Sequence, residues 1–170
     1  LWALCIKPVK HEHSYIGYAR ELYTALKNLG YSADVISWED DFSDYKAVIV
    51  PNMFVICDKA AEKLKHYTAS GGTLVGTFLT AIKDTDNVAI GKPAPCGLTE
   101  VFGINIAEVE PVFEDSVATI AFDGFSGTDQ YWIDVLESKG AQAVGIFSDT
   151  YRKGEPIVSC NTYKKGTAYY

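Results

Sequence analysis

The densest group of ligand-type side chains in the chain is His11-Glu12-His13. On an extended backbone, residues two apart point to one side, so both imidazoles could bind one zinc ion. A zinc site needs at least a third protein ligand, and the remaining histidine, His66, belongs to a separate helical stretch. With two donors only, a solvated loop is the simpler reading. Cys57 stands just ahead of a helical pattern, where the positive end of a helix favours thiolate. A cysteine nucleophile also needs a base in reach, and the adjacent Asp58 carboxylate opposes the thiolate instead. Cys96, in Pro95-Cys96-Gly97, is equally isolated. Asp84-Thr85-Asp86-Asn87 begins like a calcium loop but lacks its glycine and distal glutamate. Glu39, Asp40 and Asp41 read as solvated acidic surface. Neither G-x-G-x-x-G nor G-x-x-x-x-G-K-[ST] occurs, and Gly71-Gly72 precedes a strand pattern, so its amides are not aimed at an anion. No metal and no cofactor is expected.

The aromatic residues say more. Trp38, Phe42, Phe54 and Phe78 all fall where an apolar run ends and a loop begins. In an open α/β sheet those positions lie at the carboxyl edge, where ligands and partners are met. Four large rings at one edge suggest a contact surface, with Trp38, Phe54 and Phe78 the candidates to face a partner or substrate.

The elements that would place them follow from alternating patterns. The chain has 170 residues, with 48% hydrophobic and 22% charged, which is ordinary globular usage for one domain spanning 1–170. The apolar runs LWALCI and MFVIC are far too short to cross a membrane. A net charge of -7 argues against nucleic-acid binding, which needs a basic face. The four cysteines are widely spaced, so free, packed thiols are expected rather than a disulfide framework.

Leu1–Ile6 reads as a first strand. Ile16, Ala19, Leu22, Tyr23, Leu26 and Leu29 then recur at spacings of three and four, predicting a helix capped by Ser14 and stopped by Gly30. Strands are predicted at Ala33–Ser37, Ala47–Pro51 and Thr73–Thr77. A second helix lies between the last two, capped by Asp58, with Ala61, Leu64 and Tyr67 inward. Residues 78–97 form a long connection. A short helix near Leu98–Phe102 leads into two extended stretches, 104–112 and 117–122. DQYWIDVLES, 129–138, reads as helical, and three β runs close the chain. Alternating strands and helices indicate a parallel α/β first half with an antiparallel finish.

The run ELYTALKNLGYSADVIS followed by YKAVIVPNMFVICDKAAEKLKHYTASGGTLVGTF resembles the middle, trimerisation domain of family 42 β-galactosidases. Trp2-Ala3-Leu4 is similar to that family's W-A-L motif, and TAIKDTDN with GLTEVFGI resembles its G-I-x-D-E-N-D and L-x-x-x-L-G-I segments. The ending PIVSCNTYKKGTAYY resembles its P-[AV]-V-x-x-N-x-[FY]-G-x-G-x-[AV]-Y-Y. The likeness covers nearly the whole chain and is weakest from Glu110 to Gly127.

The resemblance implies a flavodoxin-like three-layer α/β/α sandwich, akin to class I glutamine amidotransferases, with a mostly parallel sheet. It also implies a noncatalytic role in a cytoplasmic, homotrimeric enzyme that hydrolyses terminal β-D-galactosides. The domain would touch the catalytic barrels of its own and neighbouring subunits. Amidotransferases carry a cysteine on the turn where this chain reads GTFLTA, with Phe78 and Leu79, and no histidine follows His66. Retaining galactosidases use two glutamates on a (β/α)8 barrel of about 250 residues, longer than this chain, and no Asn-Glu dipeptide occurs here. Two other readings stay open: a hydrolase with a displaced nucleophile at Cys57 or Cys96, and a carbohydrate-binding module stacking sugars on Trp38 and Trp132.

Overall fold

The computed structural model describes residues 14–112, 118–129 and 132–170. The predicted strand Leu1–Ile6, the His11-Glu12-His13 cluster and Cys5 lie outside the described residues.

The first helix, α1 (Tyr15–Asn28), starts as its cap residue dictates: Ser14 Oγ accepts from the Gly17 N–H at 3.1 Å. It stops at Gly30, whose φ of 83° lets the amides of Gly30 and Tyr31 turn back onto Lys27 and Leu26 carbonyls. Its apolar stripe is real, yet none of its residues is buried. After strand β1 (Ala47–Val50) comes α2 (Asp58–Ser70), which buries Ala60, Ala61, Leu64, Tyr67 and Thr68. Its N-cap is Cys57 rather than Asp58, with no side-chain cap bond; the Asp58 carboxylate instead sits in the first turn, where the helix dipole favours it.

Strand β2 (Thr73–Gly76) and the short helix α3 (Thr99–Phe102) precede strands β3 (Ile104–Pro111), β4 (Ala118–Phe122), β5 (Phe125–Asp129) and β6 (Trp132–Ser138). Strands β7 (Gln142–Phe147), β8 (Pro156–Tyr163) and β9 (Gly166–Tyr169) complete the chain. Seven strands form one sheet in the order β1-β2-β9-β8-β7-β4-β5, and β3 pairs with β6 in a second, two-stranded sheet.

Among the described residues, β1–β2 and β2–β9 are the parallel strand pairs, and the pairs from β9 outward to β5 are antiparallel. The sheet is therefore mixed, not mostly parallel, because the chain's second half returns through hairpins instead of helical crossovers. β9, the last strand, inserts next to β2 in the middle. That close approach needs Gly166, where an added Cβ would lie 2.1 Å from the Thr68 carbonyl oxygen.

One further expectation fails for an identifiable reason. Residues 132–138 are not helical: β6 pairs antiparallel with β3, with Ile133 buried beside Val112 and Phe147 and Leu136 buried in the main core. Residues three apart on a strand face opposite sides, so β6 is covered on both faces, and the register shift between Ile106 and Glu108 lies in β3. Residues 33–37 form no ladder among the described residues, although Val35 and Ile36 have strand-forming side chains.

The main core gathers Leu64, Leu74, Leu98, Val101, Phe102, Ile104 and Ala168 between α2, α3 and the central strands. Each large side chain fully buried there contributes about 1.5–3 kcal/mol. A smaller cluster of Val112, Ile133 and Phe147 joins the second sheet to β7.

Candidate contact surface at the carboxyl edge of the sheet

The parallel strands β1 and β2 both end at one edge, and two backbone turns there set the candidate residues. After β1 the chain bends at Asn52, which is buried and has φ 43°. Asparagine tolerates that left-handed conformation, and here the turn is tied to the end of β2. The Asn52 N–H donates to Thr77 Oγ1 at 2.9 Å, and the Thr77 hydroxyl donates to Asn52 Oδ1 at 3.1 Å. Met53 and Phe54 swing outward from this bend. With Trp38, Tyr15 and Cys57 they line a cavity of about 370 Å3.

Trp38 reaches that cavity from the acidic turn 38–40. The Lys63 ammonium on α2 holds this turn, donating to the carbonyls of Trp38 at 3.1 Å, Glu39 at 3.0 Å and Asp40. It also lies 4.7 Å from the Phe42 ring centre. Phe42 is a core residue, not part of the surface: it is buried and packs edge-on against Tyr67 at 5.6 Å.

The second turn follows β2. Leu79 and Ala81 have φ of 59° and 57°, conformations that non-glycine residues keep only when their surroundings enforce them. The enforcing group is a carboxylate. Asp134 Oδ2, from β6, accepts the Leu79 N–H at 2.8 Å and the Tyr170 hydroxyl at 2.6 Å. The Thr80 N–H in turn donates to the Tyr170 oxygen at 3.3 Å, and the Thr80 hydroxyl donates to the Thr77 carbonyl at 2.6 Å. Burial, then the neighbouring Asp134, pushes the Tyr170 phenol well above its ordinary range, so it stays a donor.

Phe78 leaves this turn in another direction. Its ring meets Tyr18 of α1 edge-on at 5.0 Å and lines a cleft of about 550 Å3 with Trp132, Asp134 and Tyr169. The structure thus brings Trp38 and Phe54 together and places Phe78 in a neighbouring cleft. The connection 78–97 is pinned between them. The Ile82 and Lys83 amides both donate to the Phe54 carbonyl at 3.0 Å, and the Cys96 amide donates to the Ala81 carbonyl at 2.7 Å. Asp84 Oδ1 accepts from the Asp86 and Val88 amides at 3.0 and 2.8 Å, which gives that carboxylate a loop-closing role.

Among the described residues, neither nucleophile candidate meets a histidine, and the Cys96 thiol donates to the Lys92 carbonyl at 3.7 Å. Cys96 is buried, and burial raises its thiol pKa, which disfavours thiolate. Cys57 is half-buried beside Phe54, whereas His66 lines a different cavity with Asp41 and Lys63. The turn after β2 carries Leu79, 3% exposed and backed by the Asp134 carboxylate.

Sequence reasoning missed Asp134, Tyr170 and Lys63. Asp134 did leave a trace, as a lone carboxylate between the apolar residues Ile133 and Val135. It also missed a cluster away from this edge. The Arg152 guanidinium lies between Glu110 and Glu155, 2.7 Å from the latter and 3.7 Å from Glu108, while the Tyr151 hydroxyl donates to Glu110. It joins the loop after β7 to the end of β3.

Comparison with known proteins agrees with this architecture. The family described as beta-galactosidase trimerisation domain matches residues 1–170. Beta-galactosidase BgaA of Clostridium cellulovorans is 31% identical over 99% of this chain and 26% of its own length. Beta-galactosidase Pbg of Clostridium perfringens is 28% identical over 96% of this chain and 25% of its own. Among solved structures, the polyextremophilic β-galactosidase of Halorubrum lacusprofundi superposes with a TM-score of 0.94 at 26% identity, over 100% of this chain and 25% of that one. The β-galactosidase of Bacillus circulans sp. alkalophilus gives 0.89 at 27% identity, over 95% of this chain and 25% of that one. The chain spans about a quarter of the length of these relatives. The family-model match along residues 1–170 places the chain in the β-galactosidase trimerisation domain family.

Proposed function

We propose that this chain is the noncatalytic oligomerisation unit of a longer, cytoplasmic β-galactosidase that hydrolyses terminal β-D-galactosides. In this reading residues 1–170 are one domain with a flavodoxin-like, glutamine amidotransferase-like ancestry, and a catalytic barrel lies elsewhere in the protein. The family match over the whole chain supports the role most directly. The turn after β2 supports the absence of chemistry within the domain: Leu79 fills the position a nucleophile would need, and Asp134 occupies its backbone amide.

A cyclic trimer is held by heterologous contacts, so each subunit must offer two different, complementary patches. Trp38 and Phe54, around their shared cavity, and Phe78 with the 78–97 connection form one such patch. Val88, exposed on that connection, extends its apolar character. Light scattering on the full-length protein tests the reading. A trimer that becomes monomeric when residues 1–170 are deleted supports it; a trimer that survives the deletion overturns it.

A further inference from the structure

Strands β4 and β5 form a hairpin at one end of the seven-stranded sheet. Its loop is the dipeptide Asp123-Gly124, with φ of 43° and 79°. Positive φ at both loop positions makes a type I′ turn, whose twist suits a tight hairpin. Phe122 and Phe125 flank this turn as directly opposed residues, so both rings project from one face. Three residue pairs, from Ile120 to Phe122, hold β4 to β7, and the outer edge of β5 has no ladder partner among the described residues. Residues 122–128 are all exposed, and Phe125 keeps 76% of its surface in water. The fold thus uses a well-defined turn to present two rings to solvent, and an exposed apolar tip of this kind marks a contact site.

The partner follows from the symmetry that a trimer requires. A ring of three closes through two different patches on each subunit. The cavity of Trp38, Met53 and Phe54 is concave and lies at the β1 end of the sheet. The hairpin tip is convex and lies at the β5 end. Six strand spacings of about 4.8 Å separate those ends, so tip and cavity are distinct patches, as head-to-tail closure demands. The areas agree as well. An aromatic side chain buries about 150–250 Å2, so two rings supply roughly 300–500 Å2 of the about 800 Å2 per partner that stable interfaces bury. The aromatic walls of the cavity furnish the matching apolar surface.

We propose that the β4–β5 hairpin is the second patch of the trimer, and that Phe122 and Phe125 of one copy enter the Trp38–Phe54 cavity of the next. This pairing of faces rests on the trimer reading and adds to it which surface meets which.

The test uses the full-length protein with a photoreactive benzophenone side chain at position 125, which keeps an aromatic group at the tip. Trimers are assembled from a mixture of isotopically heavy and light subunits and irradiated. Mass spectrometry should find position 125 joined to residue 38 or to residues 53–57, with mixed heavy and light pairs among the products. Pairs of a single isotope form, cross-links to any other segment, or no cross-link at all overturn the proposal. Phe125→Ser provides the second readout. It should raise the dissociation constant of the trimer at least about tenfold in sedimentation equilibrium, with unchanged near-ultraviolet dichroism, because the ring lies outside the core. If the dichroism changes too, the cross-linked pairs alone decide. Unchanged assembly overturns the role of the hairpin, and it leaves the trimer reading standing when deletion of residues 1–170 still yields monomers.

Discussion

The Tyr170 hydroxyl and the Leu79 amide meet on a single oxygen, Asp134 Oδ2, at 2.6 and 2.8 Å. Tyr170 belongs to the C-terminal end of the chain, Leu79 to the turn after β2 and Asp134 to the two-stranded sheet. One buried carboxylate therefore ties together three segments that are distant in sequence. It holds Leu79 at a φ that leucine disfavours, and so fixes where Phe78 points.

Replacing Asp134 with alanine should be among the most destabilising single changes in the domain. It strands a buried amide and a buried hydroxyl, each costing about 1–3 kcal/mol. Tyr170→Phe removes the donor to Asp134 and leaves the buried Thr80 amide without its acceptor, and should cost about 1–3 kcal/mol. Urea unfolding of the single and double variants forms a cycle, and the two sites should couple by more than 0.5 kcal/mol. Additive effects would mean that the shared oxygen does not link them.

Lys63→Met keeps the aliphatic stem beside Phe42 and removes the ammonium from three carbonyls. The expected loss is about 1–3 kcal/mol, measured as a lower urea midpoint with an unchanged slope. Proteolytic nicking near 38–40 should rise in parallel, since the turn loses its anchor. An equal loss without new nicking would place the effect elsewhere.

Acid should loosen the end of β3. Hydrogen bonding from the Arg152 guanidinium holds the Glu110 carboxyl below its ordinary range, with Tyr151 adding to the effect and burial opposing it. A pKa lowered on folding stabilises the folded state above the unfolded-chain value of about 4.3, and that contribution disappears as pH falls through the lower folded value. The urea midpoint should accordingly drop on acidification below about pH 4.3, and by less in Glu110→Gln. A wild-type and variant difference independent of pH between 7 and 3 would contradict this assignment.

Gly166→Ala should prevent normal folding, because the new methyl would lie 2.1 Å from the Thr68 carbonyl oxygen, and backbone there cannot yield cheaply. Soluble expression and the near-ultraviolet dichroism of the purified variant report the outcome. A variant with native spectra would show that β9 and α2 can separate.

Trp38→Ala combined with Phe54→Ala empties the walls of one cavity without entering the core. If this edge is a protomer contact, loss of two aromatic anchors should weaken trimer assembly at least 30-fold, the effect of about 2 kcal/mol. Sedimentation of the full-length variant should then show smaller species at concentrations where the wild type remains trimeric. Unchanged assembly would move the interface to another face.

Much of this architecture is legible along the chain. Ser14 and Gly30 bracket α1, the inward set Ala61, Leu64 and Tyr67 defines α2, and the strands at 47–50, 73–76 and 156–163 lie where their apolar runs stand. These features depend on contacts within a few residues, such as a cap oxygen on a nearby amide or a side chain one turn away. The ordered motifs likewise carry the family, since they are properties of the string itself.

Tertiary structure alone decided the rest. Whether Ile133 and Leu136 belonged to a helix or a strand depended on β3 being available as a partner. Val35 and Ile36 have strand-forming side chains but no ladder among the described residues, since pairing belongs to two segments and not to one. The site followed the same rule. Phe42 went to the core and Phe54 to a cavity, although both stand in the segments between strand patterns, because α2 supplies Tyr67 and Lys63 to cover the first. Asp134, Leu79 and Tyr170 are separated by 55 and 36 residues along the chain, and no local pattern announces their meeting. Local propensity is written in neighbouring residues, whereas a buried carboxylate acquires its role only when folding removes water and leaves protein groups as its partners.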